Sequence, residues 1–220
     1  MRPVRSILHT RKAASVAVVM AVVIAVAASA TAVTGATASG KSPQRPVHAS
    51  VTGSAEFRLP YSEDADIRSF TFDAHAAPYS RPVPGASTGL PTDAYGTVAV
   101  SHYSADRDIT YTAEGKVDCL VTAPGSATVT AVITEVGAGG PDWVGERLGF
   151  SVHDGGGGEP GKASRDRVGF SWADGVNKAY TDEGEVESPV GPCMAPAAFA
   201  PVTGGGYRVR HADLPLWPTG

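Results

Sequence analysis

The chain has 220 residues, with 18 basic and 22 acidic side chains and a formal charge of −4. Four of the basic residues and none of the acidic ones fall within residues 1–38, so the remainder carries −8, a sign that repels phosphate backbones. No basic patch offsets it, which excludes nucleic acid as a partner.

Arg2, Arg5, Arg11 and Lys12 form a positive opening, the run from Ala13 to Ala28 is almost purely apolar, and small residues follow at Ala28-Ser29-Ala30 and Ala36-Thr37-Ala38. This is the pattern of a helical secretory signal peptide with its cleavage region, residues 1–38. An uncleaved anchor is the competing reading, because a span needs about 20 apolar residues and this run is only slightly shorter. Small residues flank the run and no arginine or lysine follows it closely, so cleavage is expected and stable membrane insertion afterwards is not. No cysteine stands nearby for a lipid anchor, and Arg11-Lys12 is not a twin-arginine pair, which favours export of an unfolded chain. The expected location is outside the cell. Residues 39–49 lack a periodic apolar face and read as a flexible, disordered linker.

Residues 50–220 read as one β domain. From Val51 the apolar period is two: Val51, Gly53, Ala55, Phe57 and Leu59 alternate with Thr52, Ser54, Glu56 and Arg58. The alternation returns at Phe70, Phe72 and Ala74; at Val98, Val100 and His102; at Val117, Cys119 and Val121; and at Ala127, Val129, Ala131 and Ile133. It continues at Leu148, Phe150 and Val152, at Val168, Phe170 and Trp172, and at Tyr207, Val209 and His211. Each is a strand with one buried face. Pro124-Gly125, Gly137 to Pro141, Gly155 to Gly161 and Gly204 to Gly206 supply the turns. No helical period follows the leader, so the fold is expected to be all-β and antiparallel, about eight to ten strands in a sandwich or a closed barrel. Periodicity alone does not choose between those two. The stretches from Pro78 to Asp93 and from Asn177 to Ala200 read as long irregular connections that cover a sheet edge or a mouth.

Cys119 and Cys193, the only cysteines, are expected to form a disulfide in an oxidising compartment. The Gly-rich segment offers Asp154, Glu159 and Asp166 as hard oxygen ligands, a candidate Ca²⁺ site. Its spacing matches neither an EF-hand nor a calcium-binding nonapeptide repeat, and the simpler reading is a hairpin whose aspartates hydrogen-bond turn amides. No other cofactor is expected. The histidines are scattered without chelate spacing, and His102, at a strand end, reads as partly buried with one hydrogen-bonded nitrogen. The nucleophile elbow G-x-S-x-G and the S-x-x-K motif are both absent, so no catalytic residue is assigned. Among the tryptophans, Trp172 is in phase with the core, whereas Trp143 and Trp217 are the exposed candidates for stacking on a sugar ring of a cell-wall or polysaccharide ligand.

The order of segments carries a resemblance. It runs Val51-Thr52-Gly53-Ser54-Ala55, Ser69-Phe70-Thr71-Phe72-Asp73-Ala74-His75, Gly96-Thr97-Val98 with Tyr103, and Gly115-Lys116-Val117-Asp118-Cys119-Leu120 with Ala127-Thr128-Val129. Then come Phe150-Ser151-Val152-His153-Asp154, Gly158-Glu159-Pro160-Gly161, Asp166-Arg167-Val168-Gly169-Phe170 and Gly206-Tyr207-Arg208-Val209. The series resembles the post-COAP-1 domains, small secreted or cell-surface β domains common in actinobacteria. That resemblance implies a β fold and no catalytic residues. The chain departs from the pattern in the extra glycines at Gly155 to Gly158 and in a long insertion before Tyr95. The expected function is a non-enzymatic structural or binding role at the cell envelope or outside the cell. The alternatives are a carbohydrate-binding module and an extracellular hydrolase using acidic residues at a barrel mouth.

Overall fold

The computed structural model describes residues 48–156, 164–172 and 178–218. The leader, most of the linker and Glu159 lie outside the described residues. Ten strands are present among those described: β1 (Ser50–Phe57), β2 (Ile67–Ala76), β3 (Ala94–Ser104), β4 (Ile109–Ala123), β5 (Ser126–Val136), β6 (Arg147–His153), β7 (Arg167–Phe170), β8 (Lys178–Thr181), β9 (Gly184–Glu187) and β10 (Ala200–Arg210).

Eight of them close into an antiparallel barrel in the order β1-β10-β7-β6-β5-β4-β3-β2, while β8 and β9 form a separate hairpin. Closure, left open by the period-two pattern, follows from β10 pairing with β1 on one side and β7 on the other. The inward set is the one the alternation specifies: Val51, Ala55 and Phe57, then Phe70, Phe72 and Ala74, and onward to Val168, Phe170, Val202 and Tyr207, all buried. Outward positions such as Thr71, Asp73, Glu114, Lys116 and Thr134 are exposed. A lipid-embedded barrel has the opposite polarity, with its apolar band outside.

The interior is graded along the axis. At the end where β1 and β7 finish and β2 begins, Phe57, Phe70, Phe150, Phe170 and Trp172 pack in tilted and edge-on pairs with centroids 4.7–5.7 Å apart. Such pairs add about 0.5–1.5 kcal/mol each beyond the area they bury. At the opposite end the inward residues are mostly small, with Ala49, Ala74, Ala94 and Ala127 all buried.

Two expectations are corrected. Strict alternation places Val117, Cys119 and Val121 on one face, but a bulge at Asp118 leaves Val117 opposite Ala131 and Cys119 opposite Thr130. One extra residue reverses the sides that follow, so Cys119 turns outward and Leu120 takes the inner position opposite Val129. The stretch from Asn177 to Ala200 is not wholly irregular either, since it contains the β8–β9 hairpin.

After that hairpin the chain crosses the outer face of the barrel as a strap. Arg147 Nη1 donates to the Val190 carbonyl (3.3 Å), and the predicted disulfide joins Cys193 to Cys119 of β4 with the Cα atoms 5.3 Å apart. The Cys193 amide donates to Thr130 Oγ1 on β5 (3.2 Å). Thr130 and Arg147 in turn hold the buried carboxylate of Asp118, at 2.5 and 2.7 Å. Gly149 on β6 and Gly169 on β7 are glycine because a Cβ there would collide with the carbonyl oxygens of Met194 and Ala197. The strap thus passes over β4, β5, β6 and β7 in turn before entering β10.

Candidate functional site

Three polar side chains stand at inward-facing positions where the alternation calls for apolar ones. Arg68 is in phase with Phe70 and Phe72, His102 with Val98 and Val100, and Tyr111 with Ala113. The register pairs Arg68 with His102 and His102 with Tyr111, so the three form one row across β2, β3 and β4 at the aromatic end of the barrel. Above the phenylalanines this row borders an open cleft of about 380 Å³, within the range of small-molecule sites. Phe70, Phe170 and Trp172 form its floor, and Trp143, from the β5–β6 connection, forms a wall with its ring 5.3 Å from that of Trp172.

A ring of hydrogen bonds fixes the polar row. Arg68 grips Asp64 through both terminal guanidinium nitrogens, at 3.2 and 3.0 Å, and reaches Asp66 at 3.5 Å. Asp66 also accepts from the Ala105 amide (2.8 Å) and from His102 Nε2 (2.6 Å). The hydrogen bonds from the Arg68 guanidinium hold the Asp64 carboxyl well below the usual carboxylate range. The Ala105 amide, followed by His102, lowers that of Asp66. An ionised Asp66 only accepts, so Nε2 of His102 carries the proton of this bond. Arg107, in the β3–β4 turn, donates from Nη1 to the Tyr111 hydroxyl at 3.2 Å.

The structure separates the two candidate tryptophans. Trp143 lines the cleft and is half-buried. Trp217 is 59% exposed and packs against Tyr79, beyond the far end of β2, where Tyr79 donates its hydroxyl to the Pro215 and Leu216 carbonyls. The two stand at opposite ends of the barrel and do not form one platform.

Asp154 and Asp166 come together at a seam. The short β7 pairs with β10 at only two positions, Ala200 with Val168 and Pro201 with Arg167. Beyond these, Asp166 accepts the Tyr207 amide at 2.8 Å and Asp154 accepts the Val209 amide at 2.9 Å. Each spends its other oxygen on a loop amide, Asp166 on Gly155 and Asp154 on Gly156, both at 2.9 Å. Toward β10 the carboxylates stand in for a missing length of strand; toward Gly155 and Gly156 they have the turn-amide role that the simpler reading of this loop predicts. Among the described residues no group of three or more His, Cys, Asp or Glu is placed to hold a metal ion.

Asp66, Arg68, Arg107 and Tyr111 were not singled out by their sequence context. The available signal was phase: on three consecutive strands, a polar residue occupies a core-facing position next to the strand end. His102 is as its context suggested, 36% exposed with one nitrogen held. No family model, curated protein or solved structure matches the chain.

Proposed function

We propose that this chain is an exported, non-enzymatic binding barrel that takes a small molecule with an apolar body into the aromatic cleft at its mouth, at the cell envelope or outside the cell. The observation that carries this reading is the cleft itself: apolar walls, a few convergent polar groups and a volume of about 380 Å³. The disulfide and the signal-type leader support an oxidising compartment outside the cell. Hydrolase chemistry finds no support at the mouth. A general acid needs a raised carboxyl pKa, whereas those of Asp64 and Asp66 are lowered by their fixed partners. A long polysaccharide strip is disfavoured because Trp143 and Trp217 lie at opposite ends.

Calorimetric titration with a panel of small aromatic and aliphatic molecules tests the reading. Saturable binding is expected for at least one class, weakened about tenfold by Trp143→Ala through loss of one ring contact, and unchanged by Trp217→Ala. Absence of saturable binding across the panel overturns the proposal, and so does affinity insensitive to Trp143→Ala.

A further inference from the structure

We infer that the molecule taken into the cleft is a planar carboxylate, its ring lying against Trp143 and Trp172 and its anionic group meeting Arg107. This rests on the binding-barrel reading and narrows its ligand. The first argument is the sign of the lining. The charged side chains among the residues that border the cleft are Arg68 and Arg107, and no Asp or Glu is among them. A net negative chain has thus placed cations at this mouth, with the balancing carboxylates behind.

The second argument separates the two arginines. Arg68 is already neutralised by its two-pronged contact with Asp64. Arg107 has a neutral partner, the Tyr111 hydroxyl, and among the described residues it makes no ion pair. Its acidic neighbour Asp108 is engaged by the Tyr103 hydroxyl at 3.0 Å, and Asp106 is exposed to solvent. A guanidinium offers five N–H donors in a fork that matches a carboxylate, and one of these goes to Tyr111. Because the Tyr111 oxygen accepts from Arg107, its own proton is left to donate. The cleft therefore has a surplus of donors, which an acceptor-only anionic group satisfies.

The third argument is shape. The cleft is bordered by Phe70, Phe170, Trp143, Trp172 and Tyr111, and aromatic walls favour flat partners in offset or edge-on contact.

The test compares 2-naphthoate, its neutral isostere 2-naphthamide and the flexible chain acid decanoate by calorimetry, on the protein with its disulfide intact. Naphthoate is expected to bind about tenfold more tightly than naphthamide, the scale of one charge-assisted hydrogen bond. Arg107→Gln, at an exposed position, should weaken naphthoate more than naphthamide and so remove most of that difference. Added salt should weaken naphthoate alone. Equal binding of naphthoate and naphthamide overturns the carboxylate assignment while the binding barrel stands. Decanoate binding more tightly than naphthoate overturns the planar body. Failure of all three, together with failure of the wider panel, removes both readings.

Discussion

Asp166→Ala removes the acceptor that spans the seam between β7 and β10. The carboxylate is 5% exposed and accepts the amides of Gly155 and Tyr207 at 2.9 and 2.8 Å. Hydrogen bonds to a charged group contribute about 1.5–3 kcal/mol each, and losing both strands two donors near the core. Part of that loss is offset, because the substitution also removes a buried charge that makes no ion pair among the described residues. A net cost of about 2–4 kcal/mol follows, a large share of a typical domain stability of about 5–15 kcal/mol. Asp154→Ala should cost less, about 1 kcal/mol, because one of its donors, the Gly156 amide, lies in an exposed turn. Urea denaturation reads this as a lowered midpoint at constant slope. Hydrogen exchange locates it, with residues 203–210 losing protection before the β3–β4 pair does. A loss below about 0.5 kcal/mol for Asp166→Ala refutes the strand-substitute account, since that is the scatter of ordinary surface changes. So does a rise in wild-type stability on adding Ca²⁺, which would show the two carboxylates serving a metal.

Three further outcomes follow from the geometry. Replacing Cys119 and Cys193 together by serine releases a bridge spanning 74 residues, a loss of about 4.5 kcal/mol by chain entropy; urea midpoints unchanged by reductant in the wild type would contradict it. Asp64 and Asp66 have lowered values, so their contribution is complete above the unfolded-state value of about 3.9 and is lost as pH falls below it through the folded values. Asp66→Asn should therefore be less stable than wild type at neutral pH and fall less steeply below about pH 4, and parallel pH profiles for the two proteins would refute this. Gly149→Ala drives a Cβ into the Met194 carbonyl, displacing the strap at a cost of about 1–3 kcal/mol. Limited proteolysis should then cut near Met194, and a cleavage pattern identical to wild type would count against the packing described.

The strands were legible because a barrel wall and a period of two are the same statement: one face is wet and the other is not. What alternation does not encode is closure, which depends on β10 finding β1 about 150 residues away in sequence. It also misses single insertions, and Asp118 shows the consequence, one bulge exchanging the sides of Cys119 and Leu120. Gly149 and Gly169 were readable as strand positions, but their reason lies in a strap that arrives from residues 194–197. The cleft was the least legible part. Arg68 lies on a different hairpin arm from His102 and Tyr111, the three meet only through register, and each alone resembles a strand fraying into a polar turn. Trp143 drew notice because its Gly-Gly-Pro-Asp approach placed a large ring outside the regular strands, though it is half-buried against the core and not the exposed ring expected.

The wall of the barrel is unequal around its circumference. β1 and β10 are stitched along eight residue pairs, while β10 and β7 share two and lean on a pair of side chains for the rest. A ring fastened this way comes apart at its clasp, and the strap that leads into the clasp is tied down by the cystine. The cystine between Cys119 and Cys193 thus moors the approach to the weakest seam of the wall, so its reduction is expected to loosen the β7–β10 side of the ring before the long meander from β1 to β6.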